Sequence, residues 1–186
     1  MNMMHVFTDG SHRKRDKRSD KFYAGYGIIF VEPLDDDNIS LSNGSQSENQ
    51  FNVREIAKVS RRFSLINPTI IRAELYAVYS SLKRIYNQKY HLKYDEIKIY
   101  SDSMYTVNCV MGWIDAWIKS KWKNNKIKNL DILKKMYNYL TVLKKHCKIT
   151  CKHVSAHGPN SSYRSCYNNH ADVLAKNGCK LNKKIK

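Results

Sequence analysis

Four acids in this chain sit among apolar neighbours: Asp9 ends the run HVFTD, Glu74 interrupts RAELYAV, Asp102 ends YDEIKIYSD and Asp172 lies in NNHADVLAK. Singly, each has an ordinary explanation. A Glu near a helix start favours the helix dipole, and an Asp at a strand end is common turn chemistry. If the strands ending at Asp9 and Asp102 are neighbours, however, both carboxylates emerge at the same end of a sheet. Carboxylates about 4 Å apart repel by roughly 4 kcal/mol per pair at an effective dielectric of about 20, so a positive charge is required to offset them. Hard divalent cations with oxygen ligands supply it. Mg²⁺ in particular binds through few carboxylates, several waters and substrate phosphate. The acids therefore imply a metal site.

The elements that must position them follow from hydrophobic periodicity. HVFTD reads as a short buried strand closed by Asp9, followed by the charged loop HRKRDKRSDK and a second strand, FYAGYGIIFV. Residues 34–52 are polar, with Asn43-Gly44 as a turn signal, and are expected to form a mobile hairpin connection before a third strand, VREIAKVSRRF. A helix starting near Thr69 places Leu75, Val78, Tyr79, Leu82, Ile85 and Tyr86 in one stripe, with Glu74 in its first turn at the rim of the buried face. After it come the strand ending at Asp102, the helical pattern SMYTVNCVMGWIDAWI, the amphipathic LDILKKMYNYLTVLKK, the strand KITCKHVSA and a final helix, NNHADVLAKNGC, stopped by Gly178. The order β-β-β-α-β-α-α-β-α predicts an α/β fold: a mixed five-stranded sheet, a three-strand antiparallel meander plus parallel strands, flanked by helices.

With 186 residues and 21.8 kDa, the chain is the size of one domain; residues 1–178 are expected to form it and 179–186 a basic C-terminal tail. Lys and Arg number 33 against 16 Asp and Glu, a formal charge of +17, which makes a polyanion the first partner to consider. An AT-rich coding sequence, which inflates Lys, Asn, Ile and Tyr, is the competing source of that charge. No charged n-region followed by an apolar run opens the chain, and no window approaches a membrane span, so a soluble intracellular protein is expected, with cytoplasm and nucleus unresolved. Cys109, Cys147, Cys151, Cys166 and Cys179 are odd in number and irregularly spaced, which predicts free thiols. In HCKITCKH, period-two geometry puts Cys147, Ile149, Cys151 and His153 on one strand face, and packing is expected there rather than zinc.

The motifs FTDGS, RAELYAV, YSDSMYTVN and HVSAHG…NNHADVLAK, in this order, resemble the active-site motifs of the type 1 ribonuclease H family over about His5 to Lys176. The resemblance implies a ribonuclease H-like fold and hydrolysis of the RNA strand of an RNA·DNA hybrid with two Mg²⁺ ions, which Mn²⁺ can replace, leaving a 3′-hydroxyl and a 5′-phosphate. It implies Asp9, Glu74 and Asp102 as core metal ligands, Asp172 as the fourth, and His157 as a residue assisting proton transfer or product release. A monomer with no small-molecule substrate and no membrane partner is expected.

For substrate grip, WIDAWIKSKWKNNKIKN resembles the family's basic protrusion, with Lys119 and Lys121 beside aromatic side chains. Trp113 and Tyr105 match positions lining the DNA channel, Thr69 and Asn129 match two members of its phosphate pocket, and Asn168 matches a hybrid contact. Asn67 stands where that pocket usually has Arg. The largest departure is Ile70 and Ile71, in place of the amide side chains that commonly precede the RAE motif. Recognition of the 2′-hydroxyl then falls to groups near Gly10, Ser11, Ser103 and Met104, or strand discrimination is relaxed. The alternatives are the same fold acting on a junction or single strand, and a non-catalytic basic nucleic-acid-binding protein. Residues 159–167 are expected to form an enlarged loop after His157.

Overall fold

The computed structural model of the chain describes residues 1–14, 22–34, 51–63, 68–123, 127–156 and 162–180. β1 (Met3–Lys14) and β2 (Phe22–Pro33) are buried through most of their length, which is why they read as continuous apolar runs rather than alternating ones. They pair antiparallel, and β2 pairs antiparallel with β3 (Val53–Phe63). β1 also pairs parallel with β4 (Glu96–Ser101), and β4 with β5 (Lys148–His153). The order β3-β2-β1-β4-β5 gives the mixed five-stranded sheet that the element pattern predicts.

Successive strand residues point to opposite faces. Met4 and Val6 therefore enter one core, with Leu75, Leu82 and Ile85 of α1 (Ile70–Asn87) and Leu133 and Met136 of α4 (Leu130–Leu143). Phe7 enters a second core, with Tyr163, Tyr167 and Ala171 of α5 (Tyr163–Lys180). Cys147, Ile149 and Cys151 pack in the first core, and all five cysteines are buried free thiols. Between β4 and α4 lie α2 (Met104–Asn108), a π-helical turn over Cys109–Trp113, and α3 (Ile114–Lys119), so the single helix expected there carries a π insertion. No helix among the described residues is long and apolar enough to cross a membrane.

Several elements depart from expectation. β1 does not close at Asp9 but runs on to Lys14, because β2 supplies partners as far as Phe22. Glu74 is the fifth residue of α1, in its second turn, and at 6% exposure it is buried rather than at a rim; Tyr86, placed in the apolar stripe, is 44% exposed. α5 begins at Tyr163, so part of the segment expected as a loop is helix with Tyr163, Cys166 and Tyr167 buried. It also passes through Gly178, where a Cβ would lie 2.9 Å from the Arg61 carbonyl carbon. That glycine permits close approach to β3 rather than ending the helix. Cys179 is consequently packed, and residues 181–186 of the expected tail lie outside the described residues. Of the 34–52 connection, Leu34 N–H donates to Asn52 O at 3.1 Å and Phe51 is buried against Tyr163, while 35–50 lie outside the described residues.

Candidate metal and nucleic-acid site

The parallel pairing of β1 with β4 ends at Phe7 and Tyr100. Asp9 and Asp102 each stand two residues beyond that last pair, so the register sets them at the same level of the sheet. Glu74 reaches them because α1 crosses β1 at Gly10, where a Cβ would lie 2.6 Å from the Ala73 carbonyl carbon. Only a residue with no side chain fits there. Asp9, Glu74 and Asp102 each offer an oxygen within 4.8 Å of the others.

Burial and charge make this cluster electrostatically unfavourable without a counter-ion. Desolvation first, then the Asp102 and Asp172 carboxylates, pushes the Asp9 carboxyl up to about 8. The same desolvation, followed by Asp9 and Asp102, raises Glu74 well above the usual carboxylate range, opposed by the Gly10 backbone N–H. Asp9 and Glu74 hydrogen-bond to one another, which requires a proton on one of them. Asp9 Oδ2 and Glu74 Oε2 are shielded from water and have no hydrogen-bond partner among the described residues. Shielded, unpaired carboxylate oxygens converging on one point fit a hard divalent cation, which would satisfy them and replace the shared proton.

Asp172 lines the same cleft of about 440 Å³ but stands outside the three-acid cluster. Its Oδ2 accepts from Lys176 Nζ, one helical turn on, at 2.5 Å. That pairing raises the Lys176 ammonium. His153 Nε2–H donates to the Asp102 carbonyl at 3.1 Å, tying β5 to the end of β4. His157 lies outside the described residues.

The residues expected to grip substrate fall into two places. Gly10, Ser11 and Ser103 line the cleft with Ile70 and Ile71. Ser103 Oγ accepts from Thr106 N and Oγ1 as the cap of α2, and Met104 beside it is 51% exposed. Thr69 caps α1, its Oγ1 accepting from Arg72 N at 3.2 Å, and Arg72 Nη1 donates to Asn129 Oδ1 at 3.4 Å. Arg72 also forms a two-point ion pair with Asp131 at 3.0 and 2.7 Å, so the starts of α1 and α4 are held together. Asn129 occupies the left-handed region, φ 61°, which Asn tolerates better than most residues, and it hydrogen-bonds to Tyr105. Tyr105 in turn meets Trp113 edge-on at 5.6 Å. Thr69, Asn129, Tyr105 and Trp113 thus form one cluster, with Trp117 5.9 Å from Trp113 and Lys119 and Lys121 exposed beyond it.

Asn168 is different. It is 1% exposed and its Oδ1 has no hydrogen-bond partner among the described residues, so it does not present a surface for contact. Asn67 lies outside the described residues. Sequence reasoning missed His12 and Lys176, both on the cleft wall. Lys176 was detectable as a cation four residues after Asp172, whereas His12 was hidden by the assumption that β1 stops at Asp9.

A family model described as RNase H matches residues 1–180. A curated Ribonuclease H from Syntrophomonas wolfei subsp. wolfei is 32% identical over 113 residues, 59% of this chain and 68% of that protein. Across curated relatives the match spans as little as 47% of the relative's length. Among solved structures, the RNase H domain of PFV superposes with a TM-score of 0.70 at 21% identity, covering 96% of this chain and 95% of that one. A foamy viral protease-reverse transcriptase in complex with RNA/DNA hybrid gives 0.67 at 22% identity, covering 95% of this chain and 20% of that one.

Proposed function

The chain belongs to the RNase H family, and on that premise we propose that it is an endoribonuclease hydrolysing the RNA strand of RNA·DNA hybrids, giving 3′-hydroxyl and 5′-phosphate ends. The observation that carries the proposal is the buried cluster of Asp9, Glu74 and Asp102, with ligand oxygens within 4.8 Å and shielded oxygens left unpaired. Asp9, Glu74 and Asp102 would hold divalent cations, Mg²⁺ by preference and Mn²⁺ in its place, with Asp172 as a further ligand. Bound in a pair, such ions lower the pKa of an attacking water and stabilise the leaving oxygen.

The chain's own residues do the rest. Asp9 and Glu74 exclude water from one wall of the site, and Gly10 brings the strand and helix close enough for both carboxylates to face one phosphate. Lys176 holds the Asp172 carboxylate in place through the 2.5 Å pair. The Thr69, Asn129, Tyr105 and Trp113 cluster offers hydroxyl, amide and ring edges beside the exposed Lys119 and Lys121, a combination suited to a sugar-phosphate backbone and its bases. His157 is proposed to assist proton transfer or product release. The formal charge of +17 favours a polyanionic partner, and the hybrid bound by the foamy viral relative supports this class of duplex. We propose one domain over residues 1–178, acting as a monomer.

The decisive experiment incubates the protein with Mg²⁺ and, separately, an RNA·DNA hybrid, duplex RNA, duplex DNA and a four-way junction, alongside Asp102→Asn. Cleavage of the hybrid alone, lost in the variant while binding persists, is the expected result. Activity confined to the junction or to a single strand would move the assignment to another substrate of the same site. A wild-type protein that binds the hybrid without cutting it would refute the nuclease reading.

A further inference from the structure

We propose that His12 is a specificity-determining residue that reads a ribose 2′-hydroxyl on the strand being cleaved. The inference rests on the hybrid-cleaving function proposed above and names the group that recognises the sugar.

The cleft's side chains sort by what each has left to offer. Asp9, Glu74 and Asp102 form the acid cluster, Lys176 is bonded to Asp172, and Ser103 Oγ is engaged as a helix cap. Ile70 and Ile71, 47% and 43% exposed on the cleft wall, have no hydrogen-bonding group in their side chains. A 2′-hydroxyl is both donor and acceptor, and it is the group that separates RNA from DNA. Two polar side chains on the wall remain without such engagement: the short Ser11 and the longer His12.

β1 carries His12 three residues past Asp9, about 10 Å along the strand, which sets it opposite a nucleotide flanking the scissile one rather than the scissile phosphate itself. Its ring is stacked on Phe22, centroids 4.6 Å apart and planes within 8°, and Lys14 Nζ stands 5.8 Å from the Phe22 centroid. The imidazole is thereby held in one orientation. Its Nε2 is shielded from water and has no hydrogen-bond partner among the described residues. A ring placed there only to pack on Phe22 would do so better as a phenyl, with no nitrogen to leave unpaired. A neutral imidazole offers one donor and one acceptor, which is the complement of a hydroxyl.

The test uses the full chain and a hybrid with one defined cleavage site, in which a single 2′-deoxy substitution is walked along the RNA strand. Wild-type kcat/KM is expected to fall roughly tenfold, equivalent to about 1.4 kcal/mol, at one flanking position. H12F, which keeps the stack on Phe22, should show that same loss on the all-ribose strand and no additional loss when that position is deoxy. H12Q, which keeps a donor and an acceptor, should retain part of the sensitivity. Additive losses in H12F, an H12F protein equal to wild type on the all-ribose strand, or a wild type insensitive to deoxy substitution at every flanking position would each overturn the assignment of His12 alone. A wild type that cleaves no hybrid would overturn the proposed function and this inference with it.

Discussion

Asp9→Asn should stabilise the metal-free protein at neutral and higher pH while abolishing cleavage. Asp9 is 3% exposed, and its carboxyl is raised from 3.8 to about 8, first by burial and then by Asp102 and Asp172. A carboxyl with a raised folded-state pKa contributes stability that is fully present below its unfolded pKa near 4 and is lost as pH rises through about 8. Each unit is equivalent to about 1.4 kcal/mol, so the whole shift corresponds to a ceiling of about 5 kcal/mol. Asp9 and Glu74 share a proton, and local relaxation takes up part of the strain, so about 2–3 kcal/mol is expected to be recovered by the neutral amide at pH 8. The new amide N–H can also donate to Glu74, whose Oε2 has no partner among the described residues. For a chain of this length that gain is about 5–10 °C in Tm. The assay is chemical and thermal denaturation in EDTA across pH 4 to 9. The variant should match wild type near pH 4 and exceed it progressively as pH rises. Adding Mg²⁺ or Mn²⁺ at pH 8 should stabilise wild type and leave the variant nearly unchanged, because a ligand that binds only the folded state adds stability in proportion to its affinity. A variant less stable than wild type at pH 8 in EDTA, or a difference that does not change with pH, would refute the electrostatic account of the cluster.

Gly10→Ala should cost at least about 3 kcal/mol and depress activity in parallel, since its Cβ would collide with the Ala73 and Glu74 backbone and push α1 off β1; urea denaturation and hybrid cleavage measure both. Asp131 is held below the usual carboxylate range by its hydrogen bonds to Arg72, so its contribution is present above the unfolded pKa and lost as pH falls through the lowered one. Asp131 is half-exposed, so Asp131→Asn should cost under about 1 kcal/mol at pH 7, and the gap to wild type should close under acid conditions in matched denaturation curves. Lys119→Ala and Lys121→Ala should each lower the slope of log affinity against log salt by about 1 if each meets a phosphate, as read by fluorescence anisotropy on a labelled hybrid. Trp113→Ala should weaken binding by about 1–3 kcal/mol if a base stacks on this 41% exposed ring.

The order of strands and helices was legible because periodicity reports which face of each element is apolar. The positions of the acids in that order were legible too, together with the family they resemble. What periodicity cannot report is the absolute rotation and depth of a helix. Glu74 therefore read as a rim residue, whereas the close crossing of α1 at Gly10 buries it. Strand length failed for a related reason. HRK in residues 12–14 looks like loop by composition, but the pairing of His12 with Ala24 and of Lys14 with Phe22 keeps it in the sheet. Gly178 read as a stop signal because sequence shows a missing side chain without showing what approaches it, here the Arg61 backbone.

By itself, then, the sequence determined the charge, the apolar patterning and the acids carried at fixed places on successive elements, since these are properties of residue type and spacing. Only the tertiary structure decided that Asp9 and Asp102 stand level across β1 and β4, that Glu74 meets them in a shielded cleft, that Asp172 is bound to Lys176, and that His12 lines the same wall. Those facts depend on strand register and on how closely backbones can approach, which are set by contacts between residues far apart in the chain.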